Sequence, residues 1–225
     1  MGSANDSLVD NIWTPESVLP GFRSFMETFY EQCFSVEQTV LTALARALHI
    51  PETTLASLHN AAENEFRLLH YPAIPARLLQ DGTSTRIAEH TDFGTITMLF
   101  QDSTGGLQVE DQTSLGTFHG IESYKYDIIL NIGDSLQRLT NDTLRAACHR
   151  VTYPPTVKTG VEEGSEDVIP ERFSIAYFAK PNRNASLLPF GEFVDESVGR
   201  PCRYDGMTAW EYNNLRITKL YQAAA

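Results

Sequence analysis

His90 and Asp92 stand two positions apart in the run R-I-A-E-H-T-D-F at 86–93. An imidazole and a carboxylate at that spacing can share a metal ion. On a strand, residues i and i+2 point to the same face, so the two side chains converge. His149, in the strand-like run A-A-C-H-R-V-T-Y, can supply a second imidazole. Two His and one carboxylate on one face of an octahedron form the facial set that binds non-haem Fe(II), with three positions open for other ligands. Taken singly the residues say little. With 6 His in the chain, a chance His-x-Asp has odds of roughly one in four, and a lone His is more often packed than ligating.

A second pair adds to the first. Arg172 and Ser174 form R-F-S inside P-E-R-F-S-I-A-Y-F, again at i and i+2 of a strand-like run. A guanidinium grips a carboxylate through two parallel hydrogen bonds, and a hydroxyl at i+2 can add a third. Tyr71, closing the run Arg67–Tyr71 before Pro72, could offer a phenol to the same anion. Without a ligand, the bland alternatives are a surface salt bridge for the Arg and a core aromatic for the Tyr. Arg67 falls on the same strand face as Tyr71 and could meet an acidic substrate group. Phe93 is expected to pack, Asp134 to cap a turn, and Gly105-Gly106 to turn a hairpin.

These residues need elements to hold them. From Leu19 to Ile50 the apolar residues Phe22, Phe25, Met26, Phe29, Tyr30, Cys33 and Phe34 recur at helical steps, and Val40, Leu41, Leu44 and Leu48 continue them. Pro51 opens a second helix over 52–63. After Asn64 the texture changes. The runs Phe66–Tyr71, Thr95–Phe100, Ile128–Ile132 and Phe173–Phe178 are aromatic and β-branched, with Asp81-Gly82, Asn141-Asp142 and Pro154-Pro155 as punctuation. Many short strands joined by turns mean a sandwich or barrel. Residues 1–17 read as loose, 155–170 as an acidic mobile surface loop, and Met207–Tyr221 as a closing helix. The fold class is thus mainly β with flanking helices, divided as a helical segment 1–64 and a core 65–225 that includes the last helix, in one structural unit.

In order along the chain stand L-L-H-Y-P at 68–72, H-T-D-F-G-T-I-T-M-L-F-Q-D at 90–102, G-G-L-Q-V at 105–109, N-I-G-D-S-L-Q-R-L-T-N at 131–141, C-H-R-V at 148–151 and R-F-S-I-A-Y-F at 172–178. Together they make the chain resemble, from about Asn11 to Tyr221, the iron(II)- and 2-oxoglutarate-dependent dioxygenases of the isopenicillin N synthase-like superfamily. The resemblance implies a double-stranded β-helix (jelly roll, cupin-like). It implies Fe(II) held by His90, Asp92 and His149, with no catalytic side chain beyond these ligands. Arg172 and Ser174, with Tyr71 assisting, would hold the distal carboxylate of 2-oxoglutarate. It further implies O2 as co-substrate, and oxidation of a C–H bond of a small organic molecule with release of succinate and CO2, in secondary metabolism. Two alternatives stay open: an oxidase of the same superfamily that does not use 2-oxoglutarate, and a shortened, non-catalytic iron-binding homologue.

The chain departs from the family pattern in three places. Members usually carry on the order of a hundred further residues at the N-terminal side, by ordinary domain sizes, and the chain is expected to self-associate through surface that such residues would cover. The stretch between His149 and Arg172 is longer than usual. Leu69 stands where many plant members have Asn.

Composition sets outer bounds. At 225 residues with 42% apolar content the chain has enough apolar material for one core of ordinary size. A net charge of −12 argues against nucleic acid and against anionic membranes, since both need clustered Lys and Arg. No apolar run approaches the ~20 residues of a membrane-crossing helix. Cys33, Cys148 and Cys202 are widely spaced, which points to free thiols and a cytoplasmic location. The substrate is not legible.

Overall fold

The computed structural model describes every residue except 4, 5, 7, 9, 123, 154–166, 224 and 225. Among the described residues five α-helices and ten strands follow one another, with two short 3-10 helices (Gly191–Phe193 and Glu196–Val198) before the last helix: α1 (Phe22–Ala47), α2 (Thr53–Ser57), β1 (Glu65–Tyr71), β2 (Ile74–Pro75), α3 (Ala76–Gln80), β3 (Ile87–His90), β4 (Ile96–Gln101), β5 (Leu107–Glu110), β6 (Phe118–Gly120), β7 (Ile129–Ile132), α4 (Asp134–Leu139), β8 (His149–Val151), β9 (Val168–Ile169), β10 (Arg172–Ala179) and α5 (Ala209–Ala223). Two four-stranded sheets, ordered β1-β10-β4-β7 and β3-β8-β5-β6, make up the core of a double-stranded β-helix. Neighbouring strands in both sheets run antiparallel.

Period-two alternation gives the larger sheet two distinct faces. On its outer face, Phe66, Tyr177 and Met98 meet Met26, Tyr30, Cys33 and Leu41 of α1 in one buried cluster. The inner face carries Arg67, Leu69 and Tyr71 of β1, Arg172, Ser174 and Ala176 of β10, Thr97, Leu99 and Gln101 of β4, and Asn131 of β7, aligned in rows by the strand register. Leu69, Tyr71, Ile87, Leu99, Leu107, Ile129 and Val151 pack between the sheets.

Several elements differ from the sequence reading. The N-terminus is anchored: the Met1 amino group donates to the Phe66 carbonyl at 2.9 Å, Gly2 pairs with Glu65, and Asp6 meets Arg183 at 2.5 Å. The free edge of β1 recruits it, because edge backbone groups need partners. The second helix stops at Ser57, and its continuation turns inward at His59, whose buried ring bonds Leu55 O and Thr95 Oγ1 at 2.9 Å each. Gly105-Gly106 does not close a hairpin within one sheet: it carries the chain from β4 to β5 in the other, with φ of 79° and 92°. A Cβ on Gly106 would lie 2.5 Å from Thr152 O, so only Gly fits this crossing. Of the expected loop 155–170, residues 155–166 lie outside the described residues, and 168–169 form β9 against β2. No helix among the described residues is long and apolar enough to cross a membrane.

Candidate metal and carboxylate site

His90 and His149 are direct partners across β3 and β8, so antiparallel register brings together two residues far apart in sequence. Their ring centres are 4.3 Å apart. Asp92 is not on the strand. β3 ends at His90, and the chain leaves it in a tight turn whose backbone is caught by the start of α4. The Asp134 N–H donates to Asp92 O at 2.7 Å, and the Ser135 N–H donates to Gly94 O at 3.0 Å. A Cβ on Gly133 would come within 2.4 Å of Gly94 O and 2.9 Å of Asp92 O, so this approach requires glycine. The turn achieves what strand alternation was expected to do: it aims Asp92 at both imidazoles.

The donor atoms are specific. Each His ring places Nδ1 2.9 Å from a carbonyl, Ala88 O for His90 and Ala147 O for His149. A carbonyl can only accept, so Nδ1 carries the proton and Nε2 presents a lone pair. The two Nε2 atoms lie 3.7 Å and 3.8 Å from Asp92 Oδ1. The other carboxylate oxygen, Oδ2, accepts from Thr97 Oγ1 at 2.6 Å and Asn131 Nδ2 at 2.8 Å, which fixes the orientation of the group. Three electron-pair donors thus lie within 4.8 Å of one another. Such an arrangement of like dipoles is favourable around a cation. Burial, followed by the neighbouring His149, pushes the His90 imidazole below its ordinary pKa and favours the neutral, ligating form. The donor set suits a divalent transition metal, with outer partners orienting each ligand.

The Arg172 side chain is fully buried on the same inner face. Its Nη1 donates to Ser174 Oγ at 3.1 Å and its Nη2 to Gln101 Oε1 at 2.5 Å, so it leans along the sheet toward the metal end. Among the described residues, Nε has no hydrogen-bond partner and no carboxylate forms an ion pair with this guanidinium. A buried cation without an anion is costly, so the pocket is built for one. Tyr71 is brought to the site by its ring face: Arg172 Cζ lies 4.8 Å from its centroid. Arg67 instead pairs with Glu65 at 2.7 Å and lies over Phe178. The sequence reading missed Thr97, Asn131 and Gln101. The alternation of the T-I-T-M-L-F-Q strand was its one available signal for two of them, and it names no partner.

The family described as "2OG-Fe(II) oxygenase superfamily" matches residues 63–181. The 2-oxoglutarate-dependent dioxygenase gloF of Glarea lozoyensis is 47% identical over 222 residues, covering 98% of this chain and 65% of that protein. The proline hydroxylase buaE of Petromyces alliaceus is also 47% identical, over 98% of this chain and 67% of that protein. Among solved structures, a full-length Neurospora crassa protein in complex with alpha-KG and thymine superposes with a TM-score of 0.86 at 35% identity, over 98% of this chain and 64% of that one. The chain therefore spans about two thirds of the length of the relatives it matches. With the matched region holding both sheets and every site residue above, the chain belongs to the 2OG-Fe(II) oxygenase superfamily.

Proposed function

We propose that this chain is an Fe(II)- and 2-oxoglutarate-dependent oxygenase that oxidises a C–H bond of a small organic molecule. His90, Asp92 and His149 hold the iron; Arg172 and Ser174 bind the distal carboxylate of 2-oxoglutarate, with the Tyr71 ring backing the guanidinium. The observation that carries this reading is Arg172, a fully buried guanidinium whose Nε has no partner among the described residues, on the inner face of one sheet, with three metal donors converging between the two sheets. Iron bound there would supply activation of O2, coupled to splitting 2-oxoglutarate into succinate and CO2. The protein's own part is to orient and to exclude water. Thr97 and Asn131 hold Asp92 so that Oδ1 faces the ion, and Ser174 and Gln101 hold the Arg172 fork where a carboxylate can meet it. Leu99, Ala176 and Ile129 form an apolar row between the two ends.

The relative named for proline and the one solved with thymine support a small-molecule substrate. The packing of α1 into the same core as β10 supports treating 1–64 and 65–225 as one structural unit. Three unpaired cysteines are compatible with a reducing, cytoplasmic setting. Self-association is supported by the uncovered end of the larger sheet's outer face, where Leu68 and Phe173 are 49% and 50% exposed beside a groove of about 450 Å³. The test is anaerobic addition of Fe(II) and then 2-oxoglutarate, followed by O2. A visible absorption band on the second addition and succinate on the third are expected. O2 consumption without succinate would favour the oxidase reading, and absence of iron binding would defeat both.

A further inference from the structure

We propose that Arg216, on the C-terminal helix α5, is a positioning residue for the metal centre that acts through the residues on either side of Asp92; the inference rests on the metal reading above. Arg216 Nη2 donates to the Thr91 hydroxyl at 3.3 Å. Its Cζ lies 4.5 Å from the centre of the Phe93 ring. Nη1 bonds Asp134 Oδ2, which also accepts from the Tyr212 hydroxyl at 2.9 Å. The backbone N–H of that same Asp134 donates to Asp92 O at 2.7 Å. One guanidinium therefore touches the residue before Asp92 and the residue after it, and reaches the Asp92 carbonyl through Asp134.

The turn needs such a hold. Residues 91–94 have left β3, so no ladder of strand hydrogen bonds fixes them. A metal bond tolerates displacements of only about 0.2 Å. α4 grips the turn by its backbone, through Asp134 N, Ser135 N and the Ser135 hydroxyl, which donates to Phe93 O at 2.7 Å. α5 grips it by a side chain, that of Arg216. The planar fork matters here. One edge serves Asp134, another serves Thr91, and the face lies on Phe93, a combination a lysine ammonium cannot reproduce. Arg216 does not touch the ligand atoms, so its effect must pass through the geometry of the turn.

The test is anaerobic titration of the metal-free chain with Co(II), read by its visible d–d bands, in wild type, R216K, T91V and D92A. Lys can keep the ion pair to Asp134, and T91V removes one hydroxyl at constant shape. Both should weaken Co(II) binding by about tenfold, the lower end of the range for outer-shell changes, and both should alter the d–d bands. The double variant should be no weaker than R216K alone, since both break the same contact. The thermal midpoint of metal-free T91V should stay at the wild-type value. Full wild-type affinity and bands in R216K would reduce Arg216 to an ion-pair tie and overturn the proposal, as would wild-type behaviour of T91V. If R216K does not fold, T91V decides alone. D92A should lose Co(II) binding; wild-type binding in D92A would overturn the metal reading and this inference with it.

Discussion

Glu37 and Arg172 are both fully buried, on opposite sides of the same sheet. On the outer side, Glu37 Oε2 accepts from the Tyr177 hydroxyl at 2.6 Å and from Asn64 Nδ2 at 2.7 Å, and no cation among the described residues pairs with it. Burial raises its pKa to about 8, so at neutral pH the group is mostly protonated and the cluster is uncharged. On the inner side no such escape exists, because a guanidinium keeps its proton under all ordinary conditions. Arg172 stays charged with an open donor, and beyond an apolar row three lone-pair atoms converge. Burial of an ionisable group therefore does not by itself mark a site. What separates the two regions is whether the protein can complete the chemistry alone. The α1 interface does so by protonation; the inner face needs a cation at one end and an anion at the other.

The largest effects should come from removing the inner groups that wait for a ligand. Asp92→Ala or His149→Ala takes away one of three protein donors, and metal affinity should fall by more than about a hundredfold, beyond the usual range for outer-shell changes. Equilibrium titration with Fe(II) under argon measures it; a loss of less than tenfold in both would break the contrast. Arg172→Lys keeps the charge and loses the fork, and 2-oxoglutarate binding should weaken by about 1.5–3 kcal/mol. Arg172→Ala should do worse. Both variants should bind Fe(II) as wild type does, because the guanidinium contacts Ser174 and Gln101 and not the donor atoms. Calorimetry with each ligand separately gives the two numbers.

A smaller effect on the same end comes from Thr97→Val. It removes one of two donors to Asp92 Oδ2 and leaves Asn131 in place. Metal affinity should drop by about tenfold, with 2-oxoglutarate affinity for the preformed metal complex unchanged. Equal loss of both affinities would mean that the two ends of the inner face are not independent.

The candidate site residues His90, Asp92, His149, Arg172 and Ser174 could be picked out by residue type and i, i+2 spacing, which say little singly, and by the ordered motifs that carry the family resemblance. Tyr71 was legible as a neighbour of Arg172, though it meets the guanidinium with its ring. The partners that aim these groups were not legible. Thr97 and Asn131 look like ordinary strand residues, and only the β4–β7 register puts them opposite each other. The same holds for the outer side. The α1 stripe was read from Phe22 to Phe34 and on through Val40 to Leu48, yet the buried surface passes through Glu37, one turn beyond Cys33, while Phe25 is 62% exposed. A glutamate on an apolar stripe makes sense only once Asn64 and Tyr177 are known to meet it, and both belong to distant parts of the chain.

Glu37→Gln should have the smallest effect on the site, and its effect on stability should depend on pH. The unfolded chain ionises this carboxyl near 4.5 and the folded chain near 8. Between those values the folded state holds a proton that the unfolded state has lost, so the contribution to stability is complete below about 4.5 and is lost as pH rises through about 8. The neighbouring Tyr30, Cys33 and Tyr177 are all pushed upward by burial, so none of them ionises in that window. His59 acts in the opposite sense: burial lowers it from 6.5 to about 4, which adds stability as pH rises between those values. The informative quantity is therefore the difference between variant and wild type. Near pH 5 the glutamine should cost no more than about 1 kcal/mol: the protonated acid already places its O–H at Oε1, which has no partner among the described residues, and the amide adds one further N–H donor there. Toward pH 9 the difference should shrink and change sign, since the neutral amide escapes the ionisation that the buried carboxyl then faces. Denaturant titrations at both pH values test this, and Fe(II) and 2-oxoglutarate affinities should stay at wild type throughout. A variant whose stability difference is flat with pH would mean that Glu37 is ionised when buried, and the outer cluster would then hold an uncompensated charge as the inner face does.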